Sequence, residues 1–299
     1  MRLSTLAPIA AFALAACSEK PEAGPIATFS EGLSTPESVL WDATRSLWYI
    51  TNINGAGLAK DDNGYILRLS ADGVKMDSVP FINGADADIT LHAPKGMALV
   101  GDTLWVADID AVRAFDMNTG NAVTSLELAA QGATFLNDVA VGGDGTIYVT
   151  DSGISFAADG SLTHPGKSRV FAITGRNARE VVVLPAESAA NGIAFDAAHN
   201  RWLMVGFNSP NIFAWTTGDD SVTVIGTGPG GGDGIVILND GRALYSSWAD
   251  SSLYVFADGV STKLRGGLNA PADLGYDARR NIVAVPLFQD NRVEFVQVK

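Results

Sequence analysis

The chain has 299 residues, 47% of them apolar and only 18% charged, which is enough apolar mass for a sizeable core and excludes a disordered chain. Its formal net charge is −13, with Lys and Arg scattered, so a polyanion would be repelled and nucleic acid is excluded as a partner. Thirty-two Gly and 12 Pro, without long Ala/Leu/Glu/Lys segments at helical spacing, exclude a helical bundle and point to a turn-rich all-β protein.

The first segment, MRLSTLAPIAAFALAACSEK, carries one basic residue, Arg2, and then an apolar stretch from Leu6 to Ala16. That stretch is too short to span a bilayer, and Pro8 interrupts it. It ends in Leu14-Ala15-Ala16-Cys17, which resembles the lipobox of bacterial lipoproteins, where the Cys thiol is diacylated and becomes the first mature residue. Residues 1–16 are therefore expected to be a lipoprotein signal peptide, Cys17 the lipidation site and residues 17–25 a short tether. The alternative is an ordinary secretory signal cut after Ala15, because Ala13-Leu14-Ala15 fits the small-x-small rule. The expected location is the bacterial cell envelope, lipid-anchored, periplasmic or associated with the outer membrane. Cys17 is the only cysteine, so the domain that follows has no disulfide.

From residue 35 one pattern recurs: a polar residue, a small residue, a short apolar strand, a turn and a second apolar strand. It reads TPESVLWDATRSLWYIT (35–51), APKGMALVGDTLWVAD (93–108), FLNDVAVGGDGTIYVTD (135–151), AANGIAFDAAHNRWLMV (189–205), GGDGIVILNDGRALYSS (231–247) and APADLGYDARRNIVAVP (270–286). A third strand follows each unit: YILRLS, VRAFD, RVFAIT, NIFAW, SLYVF and RVEFV. Most units add a fourth, such as VVVL (181–184) or VTVIG (222–226). The period approaches the ~40 to 50 residues of one four-stranded propeller blade. Residues 26–299 are thus expected to form a six-bladed β-propeller with four-stranded antiparallel blades. The last unit lacks a fourth strand, while IATFSEG (26–32) is spare; pairing the two would close the ring and remove two exposed edges.

The recurring polar positions are Glu37, Lys95, Asn137, Asn191, Asp233 and Asp273. The first strand of a blade is the innermost, so these side chains are expected to converge on the axis. Carboxylates and carboxamides present mainly oxygen acceptors, and buried acceptors need partners. A hard divalent cation supplies one: Ca²⁺ takes ~6 to 8 oxygens and accepts neutral carbonyl donors. Glu37, Asn137, Asn191 and Asp233 would give four oxygen ligands. Zinc fits less well, since no His or Cys occupies the ring.

On these residues the chain resembles the gluconolactonase family, also called the regucalcin or senescence marker protein family, and its relative diisopropylfluorophosphatase, which are six-bladed metal-dependent hydrolases. ESVLW is similar to the family's first-blade motif, whose Glu is a metal ligand, here Glu37. LNDVAV, NGIAF and GDGIVILNDGRALYSSWADSSLYVF carry the ligands of later blades onto Asn137, Asn191 and Asp233. The departures are Lys95, where some relatives place a His, and VPLFQDN, where the phosphatase has a His and the nearest equivalent is Phe288. Gly275 follows Leu274 where the phosphatase has a His at its second calcium. Histidine-assisted phosphotriester chemistry is therefore not expected.

The expected activity is hydrolysis of a small lactone or ester, with the cation polarising the carbonyl and stabilising the oxyanion. Asp233 would act as base, or as direct nucleophile as proposed for some relatives; Lys95 would hydrogen-bond the leaving oxygen; Asp273 would hold a water or pair with Lys95. Asn52, Asn54, Trp248 and Phe288 are the expected substrate-pocket residues, framed by the loops 52–64 and 152–168. The rival function is a non-catalytic binding or scaffold module, monomeric and displayed at a membrane by the lipid on Cys17. GTGPGGGDG (226–234) is not a P-loop, because no Lys-Ser or Lys-Thr follows.

Overall fold

The computed structural model describes residues 24–299; the signal segment 1–16, Cys17 and the tether through residue 23 lie outside the described residues. The only helical element among the described residues is one 3₁₀ turn, Ala129–Gln131, so no described helix is long and apolar enough to cross a membrane. Everything else ordered is strand. Pro36–Asp42, Leu47–Asn52, Tyr65–Ser70 and Ile82–Asn83 form the first antiparallel sheet in sequence order. Pro94–Val100, Thr103–Asp108, Ala111–Asp116 and Ala122–Glu127 form the next, and Leu136–Val141, Ile147–Asp151, Arg169–Thr174 and Asn177–Val183 a third.

The following two units depart from four separate strands. Ala190–Asp196 through Thr223–Thr227 and Gly232–Ile237 through Val260–Arg265 merge into one eight-stranded sheet. A single parallel bridge, Thr227 to Val260, joins their outer strands, backed by a 2.9 Å bond from Ser261 Oγ to the Thr227 carbonyl. In the last sheet Gly275–Asp277, Ile282–Leu287 and Arg292–Gln297 are completed by Ala27–Phe29. Ala27, Thr28 and Phe29 pair with Phe295, Glu294 and Val293, so the spare N-terminal strand covers the C-terminal edge.

The core is divided among the gaps between sheets. Trp48, Ile50 and Leu69 of the first sheet pack with Phe29, Ile282, Val293 and Phe295 of the last, which closes the circle of contacts. Tyr49, Ile66, Met97 and Val106 fill the next gap, and Leu126, Val139, Val149 and Phe171 the one after. Sheets packed in this way around an axis make a β-propeller.

The first strands are not plain ladders. Pairing with the second strand slips between residues 36 and 39, 94 and 97, 136 and 139, 190 and 193, and 232 and 235. Each slip is a β-bulge, which bends the strand and re-aims a side chain. This is why Asn137 and Asp138, poor strand formers, open a strand: they occupy the bulge. The freed N–H groups find hydroxyls on the second strand, Ser38 N–H to Thr51, Asp138 N–H to Thr150 and Gly234 N–H to Ser246, at 2.8–2.9 Å. Glycine lets neighbouring bulges abut. A Cβ on Gly192 would lie 2.3 Å from the Asp233 carbonyl oxygen, and one on Gly234 2.4 Å from the Leu274 nitrogen.

Candidate metal centre and pocket

The bulges bring Glu37, Lys95, Asn137, Asn191 and Asp233 to the floor of one cavity of about 300 Å³. All five are at most 6% exposed although each carries a strongly polar group. Among them Glu37 Oε2, Asn191 Oδ1 and Asp233 Oδ1 are buried without a hydrogen-bond partner. Asn137 donates its amide to Ser152 Oγ at 3.3 Å, which leaves its carbonyl oxygen as the free end. Ser152 in turn donates to the Ala190 carbonyl at 2.6 Å.

Burial raises the Glu37 carboxyl well above its usual range, reinforced by the charges of Asp233 and Asp273 and opposed by Lys95. Asp233 is likewise raised well above its range by burial and by Asp273, with the Trp248 indole acting against the shift. Burial lowers the Lys95 ammonium, against the pull of Glu37, Asp108 and Asp110. Two carboxylates and two carboxamides, with orphaned oxygens on Glu37, Asn191 and Asp233, therefore fit a hard cation that binds oxygen. Among the described residues no three His, Cys, Asp or Glu side chains cluster as metal ligands.

Four expected residues sit differently. Pro271 bridges Leu287 as Pro36 pairs Asn52 and Pro94 pairs Asp108, so Ala272, not Asp273, occupies the ring position of the last sheet. Asp273 belongs to the next layer, with Ser38 and Asp138, and lines a second cavity of about 330 Å³ further along the same strands. Its oxygens accept from Ser38 Oγ at 2.5 Å and Leu274 N–H at 2.8 Å, and no ion pair with Lys95 forms. Lys95 reaches the pocket, but its Nζ donates to Ala93 O at 3.0 Å and Gly57 O at 3.4 Å and stands 4.4 Å over the Phe135 ring.

Asn52 is fully buried and does not line the pocket: Oδ1 accepts from Ser34 N–H and Nδ2 donates to Ile50 O. Its place in the ladder is that of Asp108 and Asp151, which accept backbone N–H groups from Ala93 and Phe135, so it tethers a loop. Asn54 holds the same loop through Asn63 O at 3.0 Å. Trp248 and Phe288 do line the pocket, with ring centroids 5.5 Å apart.

Sequence reading missed Ser152, Phe135 and Phe207, which also line it. Phe135 directly precedes the LNDVAV motif and was open to detection on that ground. The 152–168 loop contains a small hairpin, Ser155–Phe156 with Leu162–Thr163, that adds Ile154, Phe156 and Leu162 to the wall. In a larger surface groove Arg201 and Arg242 are already paired, to Asp196 and Asp240.

No family model matches the chain, and no curated protein matches it in sequence. Solved structures do match. A streptogramin B lyase aligns over 90% of this chain and 95% of its own, with a TM-score of 0.61 and 14% identity. A virginiamycin B lyase from Staphylococcus aureus covers 88% and 85%, with a TM-score of 0.57 and 16% identity. A chain of a nidogen/laminin complex covers 77% and 78%, with a TM-score of 0.56 and 18% identity. At these identities the likeness establishes the propeller fold alone, which these lyases and a chain of the nidogen/laminin complex share.

Proposed function

We propose that the chain is a six-bladed propeller hydrolase of the gluconolactonase and regucalcin kind, dependent on a divalent cation, that opens a small lactone or ester at the channel mouth. The observation that carries this reading is the set of three orphaned, buried oxygens on Glu37, Asn191 and Asp233, drawn from the first strands of three repeats to one cavity floor. Glu37, Asn137, Asn191 and Asp233 would hold the cation, with Ca²⁺ the natural choice for an all-oxygen set. When bound, the cation supplies Lewis-acid polarisation of the substrate carbonyl.

The chain's own groups do the rest. Asp233, deep in the floor, takes a proton from the attacking water. The water oxygen bonds to the carbonyl carbon, the bond from that carbon to the alkoxy oxygen breaks, and the departing oxygen regains a proton. The products are an alcohol and a carboxylic acid, which ionises in solution. Lys95, pinned by Ala93 and Gly57, is placed to donate toward the departing oxygen. The lipobox at Cys17 would hold this domain at a bacterial membrane facing the periplasm.

Metal analysis of the purified protein, with a lactone and aryl-ester panel assayed before and after chelation, tests the reading. Turnover that survives chelation, or that Asp233→Ala leaves unchanged, removes it. Two of the similar structures are lyases, which favours elimination as a second reading: the same base would remove a proton from the carbon next to the one bearing the ester oxygen, the bond from that second carbon to oxygen would break as the C=C forms, and the carboxylate would leave, so that a lactone becomes an unsaturated acid. In ¹⁸O-labelled water only hydrolysis places label in the acid product. A protein that binds the cation and turns over nothing is the binding module.

A further inference from the structure

We propose that the molecule opened at this floor carries an apolar body, an alkyl or aryl lactone or ester, and is not a polyhydroxylated sugar lactone; this rests on the hydrolase reading above. The floor is polar, but the wall above it is not. Phe135, Phe207, Trp248 and Phe288 surround the opening. They brace one another: Phe207 meets Trp248 edge-on at 5.3 Å, and Phe135 meets Phe156 at 6.3 Å and 76°. Phe156, on the small hairpin, lines the cavity yet is 50% exposed, as a side chain at the mouth of an apolar groove would be.

The polar groups on that wall are nearly all engaged. Ser152 bonds the Ala190 carbonyl and the Asn137 amide, and Lys95 bonds two backbone carbonyls. One further donor, the Trp248 indole N–H, is buried without a hydrogen bond of good geometry and faces Asp233, whose carboxyl it acts to lower. It serves one acceptor beside Asp233, which suits a single ester group at the floor. The ring hydroxyls of a sugar lactone would each lose water and find no partner, at a cost of roughly tenfold in affinity per group. Each added methylene of an alkyl substituent would gain about fourfold until a cavity near 300 Å³ is full.

The test measures kcat/KM for γ-lactones of increasing alkyl length and for glucono-δ-lactone, in the presence of Ca²⁺. In parallel, calorimetry measures binding of the matching alkyl lactams, whose amide resists hydrolysis. The expected result is a rise of about fourfold per methylene in both series and a sugar lactone at least a hundredfold poorer than the longest alkyl lactone. A sugar lactone opened as fast, or lactam binding indifferent to chain length, overturns the proposal while leaving the hydrolase reading intact. Length-dependent lactam binding without any lactone turnover removes the hydrolase reading and upholds the apolar ligand. Phe156→Ser and Leu162→Ser, on the hairpin, are expected to flatten the slope for the longer chains without changing Ca²⁺ affinity. An unchanged slope in both variants shows that the hairpin does not contact the ligand and overturns that part.

Discussion

Ser38 and Asp273, 235 residues apart, are joined by a buried 2.5 Å hydrogen bond in which the Ser38 hydroxyl donates to Asp273 Oδ2. Beside it the Asp273 N–H donates to the Glu37 carbonyl at 2.9 Å. The first and last sheets are therefore stitched directly behind the proposed cation ligand Glu37.

That join makes stability depend on pH. Burial raises the Asp273 carboxyl to about 7, against the lowering effect of Ser38 and the Leu274 N–H. A carboxyl that holds its proton more tightly when folded stabilises the protein below its unfolded pKa near 4, and that stability is lost as pH rises through the folded value. Glu37, Asp138 and Asp233 are raised too and act in the same direction. Melting temperatures in chelator are expected to fall between about pH 5 and pH 8, and Asp273→Asn to flatten that fall. Parallel curves for variant and parent would contradict the assignment.

The floor predicts opposite effects of one substitution with and without cation. Glu37→Gln removes a buried charge, so the cation-free variant should melt higher than the parent. It also removes a proposed ligand, so the rise on adding Ca²⁺ should vanish. For the parent that rise is about 2.7 kcal/mol at a hundredfold excess over Kd. Differential scanning calorimetry with Ca²⁺ and with chelator reads both signs.

Lys95 places a positive charge beside that floor. Lys95→Met keeps a long unbranched side chain in this buried place and removes the charge that stands over the Phe135 ring. Ca²⁺ affinity should tighten by about tenfold, since a like charge is lost from a site of reduced dielectric. Lactone turnover should fall, and calorimetric titration alongside the assay separates the two effects. Weaker Ca²⁺ binding would mean that Lys95 supports the site instead of opposing it.

The closing strand should matter far beyond its length. Phe29 is 9% exposed and packs with Trp48 and Phe295 across the junction of first and last sheets. Phe29→Ala is expected to cost about 3 kcal/mol, and deletion of residues 25–32 to destabilise the whole ring. Chemical denaturation measures both; a deletion that unfolds like the parent would show that the circle closes without this strand.

Gly234→Ala tests how tightly the bulges abut. The new Cβ would meet the Leu274 nitrogen at 2.4 Å and the Asp273 Cα at 2.5 Å, both backbone atoms. A loss of about 3 kcal/mol is expected, with weaker Ca²⁺ binding because Asp233 shifts. Gly241→Ala is a control for space, since nothing lies within 4 Å of its Cβ position, although its φ of +85° carries its own strain.

Much of this architecture could be read along the chain. Alternating apolar residues and Gly-rich turns mark the hairpins because strand periodicity and turn chemistry depend on a few adjacent residues. The spare strand 26–32 was visible as an unmatched half of a repeat. Glu37, Asn137, Asn191 and Asp233 stood out as polar residues where a strand should begin. Tertiary structure decided what proximity alone controls. In Ala-Pro-Ala-Asp only the bridge between Pro271 and Leu287 puts Ala272 in the ring and Asp273 one layer deeper. Asn52 and Asn54 look like pocket residues until their side chains are seen holding Ser34 and Asn63. The apolar wall joins Gly57, Phe135, Phe207 and Phe288 from distant loops, and no local pattern encodes that meeting. A strand's period arises from its own backbone, whereas a site at the axis exists only once the ends of the chain have met.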